Sequence, residues 1–164
     1  MPAAEARFVR PLALAPGAAI ALTREEFALL GLPAASMLPG GGQHLALEVR
    51  SGNGSASRWT CLFGPPFHER FGVTFWPGSL NLWASAPIGW DTPFRLTAGG
   101  VAGEFCPVIL EEAAVGVAFR APPYTPSYLE VLSPVELRPR LGGLVNGQVV
   151  RVRLLRGDTL RPAA

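Results

Sequence analysis

The chain has 164 residues and a formal net charge of +2, and all fourteen of its basic residues are arginine. The absence of lysine excludes a GxxxxGK[ST] phosphate loop, a kinase-type strand lysine and Schiff-base chemistry. The near-neutral balance leaves no electrostatic footprint for nucleic acid.

A chain of this length with 49% hydrophobic residues fits one domain with one sizeable core. Charged residues make up 16%, against a usual ~25%, and there are 19 Gly and 17 Pro. Such a chain turns often, and long helices are not expected. Cys61 and Cys106 form no CxxC pair and sit among apolar neighbours, so they read as two buried free thiols in a reducing compartment. His44 and His68 share no metal-ligand spacing with them. Met1 to Ala6 shows no cationic segment followed by an apolar run, and Pro and Gly interrupt every apolar stretch short of a membrane span. The expectation is a soluble cytoplasmic protein with no membrane partner.

In chain order, Arg7 to Leu22 is apolar and irregular. Thr23-Arg24-Glu25-Glu26 opens a short helix, with Thr23 as N-cap and Glu26 placed for a capping box, and Gly31 or Pro33 ends it. Residues 1–42, closed by a Pro-Gly-rich link, read as an extension packing on the main domain. From His44 to Arg50 the pattern alternates with period two, which predicts a strand. Ser51 to Ser57 reads as a polar loop, Trp59 to Phe63 as a second strand, Gly64-Pro65-Pro66 as a turn and Phe67 to Phe71 as a single helical turn. Ser79 to Ser85 reads as a strand with Leu80 and Leu82 on one face and Asn81 and Trp83 on the other. Strands are predicted at Gly103–Leu110 and Ala114–Phe119, around a Glu111-Glu112 turn. A rigid loop at Pro122 to Pro126 precedes a strand at Tyr128–Leu132, and a short helix at Pro134–Leu141 follows. Asn146-Gly147 is a turn, Val149–Leu155 is the last strand, and 157–164 reads as a flexible tail. Many short strands punctuated by Gly and Pro argue for a mostly-β barrel or sandwich over residues 43–156.

Three segments place polar groups where turns meet strands. Gly52-Asn53-Gly54 is either an ordinary hairpin loop or a cradle whose backbone N–H groups approach an anion. In Trp76-Pro77-Gly78-Ser79-Leu80-Asn81, a hydroxyl and an amide two residues apart share one strand face. They form either a polar barrel rim or neutral oxygens suited to a hard cation such as Mg²⁺. Glu130 lies in the apolar strand Tyr128 to Leu132, as a solvent-facing residue or as a carboxylate that orients a hydroxyl.

The order of Gly52-x-Gly54, Trp76-Pro77-Gly78-Ser79-Leu80-Asn81, Leu129-Glu130-Val131-Leu132-Ser133-Pro134-Val135-Glu136-Leu137-Arg138 and Leu144-Val145-Asn146-Gly147-Gln148-Val149-Val150 resembles the archaeal-type CTP-dependent riboflavin kinase family. The resemblance covers about residues 45–156 and implies a small cradle-loop-type β-barrel with short helices. It implies phosphoryl transfer from CTP to the 5′-hydroxyl of riboflavin, giving FMN and CDP. By resemblance, Gly52, Asn53, Gly54, Pro134, Val135, Leu137 and Arg138 contact the nucleotide. Ser79 and Asn81 hold Mg²⁺, Glu130 and Asn81 act in catalysis, and Glu130, Tyr124 and Thr125 face the flavin. The sequence departs from the family at Ser55, where an acidic residue is usual, and at Glu136, where the residue can be basic. Pro123 falls near the expected flavin-loop hydroxyl, with Tyr124 and Thr125 next.

These departures motivate a second reading, a non-catalytic nucleotide- or flavin-binding or regulatory module on the same barrel. A third is a kinase for a different small alcohol, and fold resemblance alone does not choose among them. If the chain is a kinase, its phosphates must be neutralised by metal, backbone amides and arginine, with Arg58 and Arg138 as the candidate guanidinium forks.

Overall fold

The computed structural model describes residues 21–52 and 56–162. Seven strands form one antiparallel sheet: β1 (Gln43–Arg50), β2 (Leu80–Trp83), β3 (Phe94–Ala98), β4 (Val101–Leu110), β5 (Ala114–Arg120), β6 (Tyr128–Leu132) and β7 (Val149–Leu154). Their order is β3-β4-β5-β6-β2-β1-β7, and β4 also pairs with β7. The long strand β4 makes this possible. One of its edges pairs with β5, while the other is shared by β3, along Val101 to Phe105, and β7, along Val108 to Leu110. The result is a small mostly-β fold with a closed six-stranded barrel, short helices and β3 as an outlying strand.

Strand alternation sorts the apolar side chains into two cores. Leu47 and Val49, Leu80 and Leu82, Val108 and Leu110, Leu129 and Val131, and Val150 and Val152 come from all sides of the ring and fill its interior. Phe105 and Ile109 of β4, with Val115, Val117 and Phe119 of β5, point the other way into a second core. Both faces of β4 and β5 are therefore buried, which explains why these strands carry almost no exposed residue.

The second core is covered by α2 (Ala56–Phe71), the largest departure from the predicted elements. The strand expected at Trp59 to Phe63 and the turn at Pro65-Pro66 are instead one sixteen-residue helix. Phe63, Phe67 and Phe71 recur every four residues, which places them on one helical face, and all three are buried against the outside of the barrel. Phe67 packs against Phe71 and Phe75 with tilted rings and against Phe105 edge-on, at centroid distances of 4.8–4.9 Å. Pro65 and Pro66 remove two backbone donors, but this aromatic contact holds the helix.

The capping box at Thr23 and Glu26 forms as predicted. It opens α1 (Arg24–Leu29), and Gly31 with φ +69° follows the helix. α1 lies on β5, and Leu29 and Leu30 join the second core. Strands β1, β2, β4, β5, β6 and β7 lie close to their predicted positions, whereas β3 has no counterpart among the predicted elements. The short helix near Pro134 is confined to α3 (Leu137–Arg140). The segment expected to be a flexible tail forms a 3₁₀ turn at Gly157–Thr159 and buries Leu160. Among the described residues, no helix is long and apolar enough to cross a membrane.

Candidate functional site

Register builds the site. Arg50 of β1 pairs with Asn81 of β2, Asn81 with Glu130 of β6, Glu130 with Phe119 of β5, and Phe119 with Phe105 of β4. This row crosses the outer face of the barrel. Its aromatic end lies beneath α2, and its polar end stays open. A neighbouring pair, Trp83 and Tyr128, stands beside it with ring centroids 4.9 Å apart.

Glu130 and Phe119, neighbours in this row, line a cleft of about 510 Å³. Trp59, Trp83, Phe119 and Tyr128 supply aromatic walls, Pro122, Pro123 and Thr125 a rim, and Ser51, Gly52, Arg120 and Glu130 the polar groups. The Arg120 guanidinium lies 4.2 Å from the Tyr124 ring centroid and 4.5 Å from that of Trp90. It is also paired at 2.8 Å with Glu104, which Arg95 contacts at 2.9 Å. Burial would raise the Glu104 carboxyl, but the hydrogen bonds and charges of Arg120 and Arg95 outweigh it and hold the group below its ordinary value.

At the bottom of the cleft, Glu130 is 6% exposed. The Ser79 hydroxyl donates to its Oε2 at 2.8 Å, and the Tyr128 hydroxyl approaches its Oε1 at 3.3 Å. Tyr128 also donates to Asn81 Oδ1. Burial raises the Glu130 carboxyl above the usual range, more than the bonds from Ser79 and Tyr128 lower it. Burial, together with the Glu130 charge, also pushes the Tyr128 phenol upward.

Gly52 lies against this node. A Cβ added there would stand 2.3 Å from Asn81 Nδ2 and 2.8 Å from Asn81 Cγ, so the close approach requires glycine. α2 begins at Ala56, so the element after Gly52 is a helix and not a strand, which corrects the hairpin reading. Asn53 and Gly54 lie outside the described residues.

A second, smaller pocket of about 200 Å³ opens on the other side of Ser79. Val135, Leu137 and Arg138 line it together with Trp76 and Glu136, while Pro134 does not. Arg138 is not a free phosphate fork. It donates to Leu144 O at 2.9 Å and to Asn146 Oδ1 at 3.0 Å, and Asn146 donates on to Ser51 at 2.6 Å. The structure thus brings Ser79, Asn81, Glu130 and Gly52 together. Thr125 reaches the cleft rim, and Tyr124 is 44% exposed and packs on Arg120.

The magnesium assignment is corrected. Among the described residues, no group of three or more His, Cys, Asp or Glu side chains assembles to hold a metal ion. The two neutral oxygens given to Mg²⁺ already have partners, Ser79 on Glu130 and Asn81 on Tyr128. These side chains form a hydrogen-bonded network with Glu130. Cys106 is buried and free, with burial pushing its thiol up to about 12, but Cys61 is exposed, against the expectation of two buried thiols.

The sequence reading missed Tyr128, Phe119, Arg120 and Ser51 as site residues. Tyr128 carried a signal, because it stands two residues from Glu130 in the same strand and so shares its face. Arg120 carried none, since its role depends on the loop that brings Tyr124 onto it. The chain matches no family model, and no curated protein matches it.

Proposed function

We propose that this chain is a non-catalytic binding module whose aromatic cleft accepts a flat conjugated ring, such as the isoalloxazine of a flavin. The observation that carries this reading is the cleft itself: four aromatic side chains around a buried carboxyl group on the outer face of the barrel. Stacking on aromatic walls supplies affinity, and a few placed polar groups supply orientation. Glu130, with its raised carboxyl, offers a ring N–H or a hydroxyl a partner at the floor. The bonds of Ser79 to Glu130 and of Tyr128 to Asn81 and Glu130 support a binding role over a catalytic one. The two free thiols agree with a cytoplasmic protein.

A second reading is phosphorylation of riboflavin by CTP, as in the family that the sequence resembles. It is favoured by the Ser79–Glu130 hydrogen bond, which joins the small pocket to the aromatic cleft. Titrating riboflavin with the protein separates the readings. Binding should quench flavin fluorescence saturably, and Trp83→Ala should weaken it by about tenfold, the scale of removing one stacked ring. No FMN should form when CTP is added. FMN formation would establish the second reading, and absence of quenching would remove both.

A further inference from the structure

We propose that the small pocket beside Trp76 is a site for an organic cation, a guanidinium or ammonium group on a slender chain. This goes beyond the flavin-cleft reading and does not depend on it. Trp76 is 44% exposed, one of the few large apolar side chains so presented, and it lines the pocket wall. Its backbone N–H donates to Ser133 O at 2.8 Å, which fixes the loop that carries the ring. Glu136 lines the same pocket and is exposed. As N-cap of α3 it makes no side-chain capping bond, and its carboxylate forms no hydrogen bond or ion pair among the described residues.

The other polar side chains of the wall are already hydrogen-bonded within the protein. The Ser79 hydroxyl is spent on Glu130 and that of Ser133 on Val115 O. Arg138 directs both terminal nitrogens at the 144–146 loop. The pocket therefore offers an incoming group a half-exposed indole side chain and a carboxylate without a protein partner among the described residues, in a volume of about 200 Å³. A cation over an indole face beside a carboxylate gains from both. Arg138 keeps its positive charge in the same wall, but both of its terminal nitrogens are turned to neutral acceptors of the 144–146 loop, so the Glu136 carboxylate is the charged group of the wall without a protein partner among the described residues. The preference for a cation rests on the free Glu136 carboxylate beside Trp76, because the Arg138 donors are already engaged.

The test uses the intact chain and the indole N–H resonance of Trp76, assigned by its loss in Trp76→Phe. Methylguanidinium chloride should shift that resonance saturably in the millimolar range, while sodium chloride at equal ionic strength should not. Glu136→Gln should weaken the binding by up to about fivefold, the upper range for an exposed ion pair. An acetylated, amidated Gly-Arg-Gly peptide distinguishes the sources. Tighter binding than methylguanidinium assigns the site to an arginine side chain of a partner, and equal binding assigns it to a free small cation. The proposal is overturned if no saturable shift occurs, if Glu136→Gln leaves it unchanged, or if inorganic phosphate or CTP moves Trp76 while methylguanidinium does not. Flavin fluorescence reports on the other cleft, so failure of one reading leaves the other standing.

Discussion

Glu130 shows how much a single side chain depends on its surroundings. Both of its oxygens are engaged, one by Ser79 and one by Tyr128, and it sits almost wholly out of water. Burial raises its carboxyl in the folded state above the unfolded value, so the folded protein holds the proton more tightly. The stability from this group is then fully present below the unfolded pKa and is lost as pH rises through the folded pKa. Glu104 has the opposite sign. Arg120 and Arg95 keep it lowered, so its contribution is present above the unfolded pKa and lost as pH falls through the folded one. Denaturant titrations across the acidic range should show Glu130→Gln losing the decline in stability on the alkaline side of the carboxyl transition, with the acid-side decline retained. An unchanged pH profile in the variant would show that Glu130 does not titrate abnormally.

At the scale of elements, α2 decides the character of the site, because it covers the aromatic end of the cross-strand row and leaves the polar end open. Its stability rests on one face. Phe67 is fully buried and touches three other rings, so Phe67→Ala should cost about 3–5 kcal/mol, measured as a lowered urea midpoint with the slope unchanged. A loss below ~1 kcal/mol would mean that the helix does not depend on this contact. α2 is also the element hardest to read from sequence. Gly64-Pro65-Pro66 carries the local signature of a turn, and the four-residue recurrence of Phe63, Phe67 and Phe71 signals a helix only if the prolines are discounted. Burial against Phe105 and Phe119 overrides the local signal. Thr23 and Glu26 pose no such conflict, since capping is a contact within four residues and is legible directly.

Across the whole molecule, segments distant in sequence are tied by a few buried contacts. Glu26 of α1 has no exposed surface. It accepts from the backbone N–H of Val115 in β5 at 2.9 Å and from Arg140 of α3 at 2.7 Å. One carboxylate therefore joins α1, the barrel and α3. Glu26→Ala should cost about 3 kcal/mol or more, because it strands a guanidinium and a buried backbone donor. Equilibrium unfolding of the variant measures that loss, and a neutral result would remove the pair from the account of stability. The backbone at Gly157 is closely packed as well. A Cβ on Gly157 would fall 2.2 Å from Thr92 O and 2.3 Å from Pro93 Cα, so Gly157→Ala should destabilise by up to about 3 kcal/mol, seen as a lowered Tm.

Local sequence was enough to specify what repeats at short range: the alternation of the barrel strands, the capping box, the turns at Glu111-Glu112 and Asn146-Gly147, and the shared face of Ser79 and Asn81. It also excluded every mechanism that needs a lysine. Long-range packing settled the rest. Closure depends on β4 dividing one edge between β3 and β7, and no local pattern records that division. The fate of Ser79 and Asn81 likewise depends on register. Pairing β2 with β6 sets Asn81 opposite Glu130 and brings Tyr128 within reach, so side chains that spacing alone would offer to a cation are hydrogen-bonded inside the protein. Spacing along the chain fixes which face a side chain takes, but only packing fixes what it meets there.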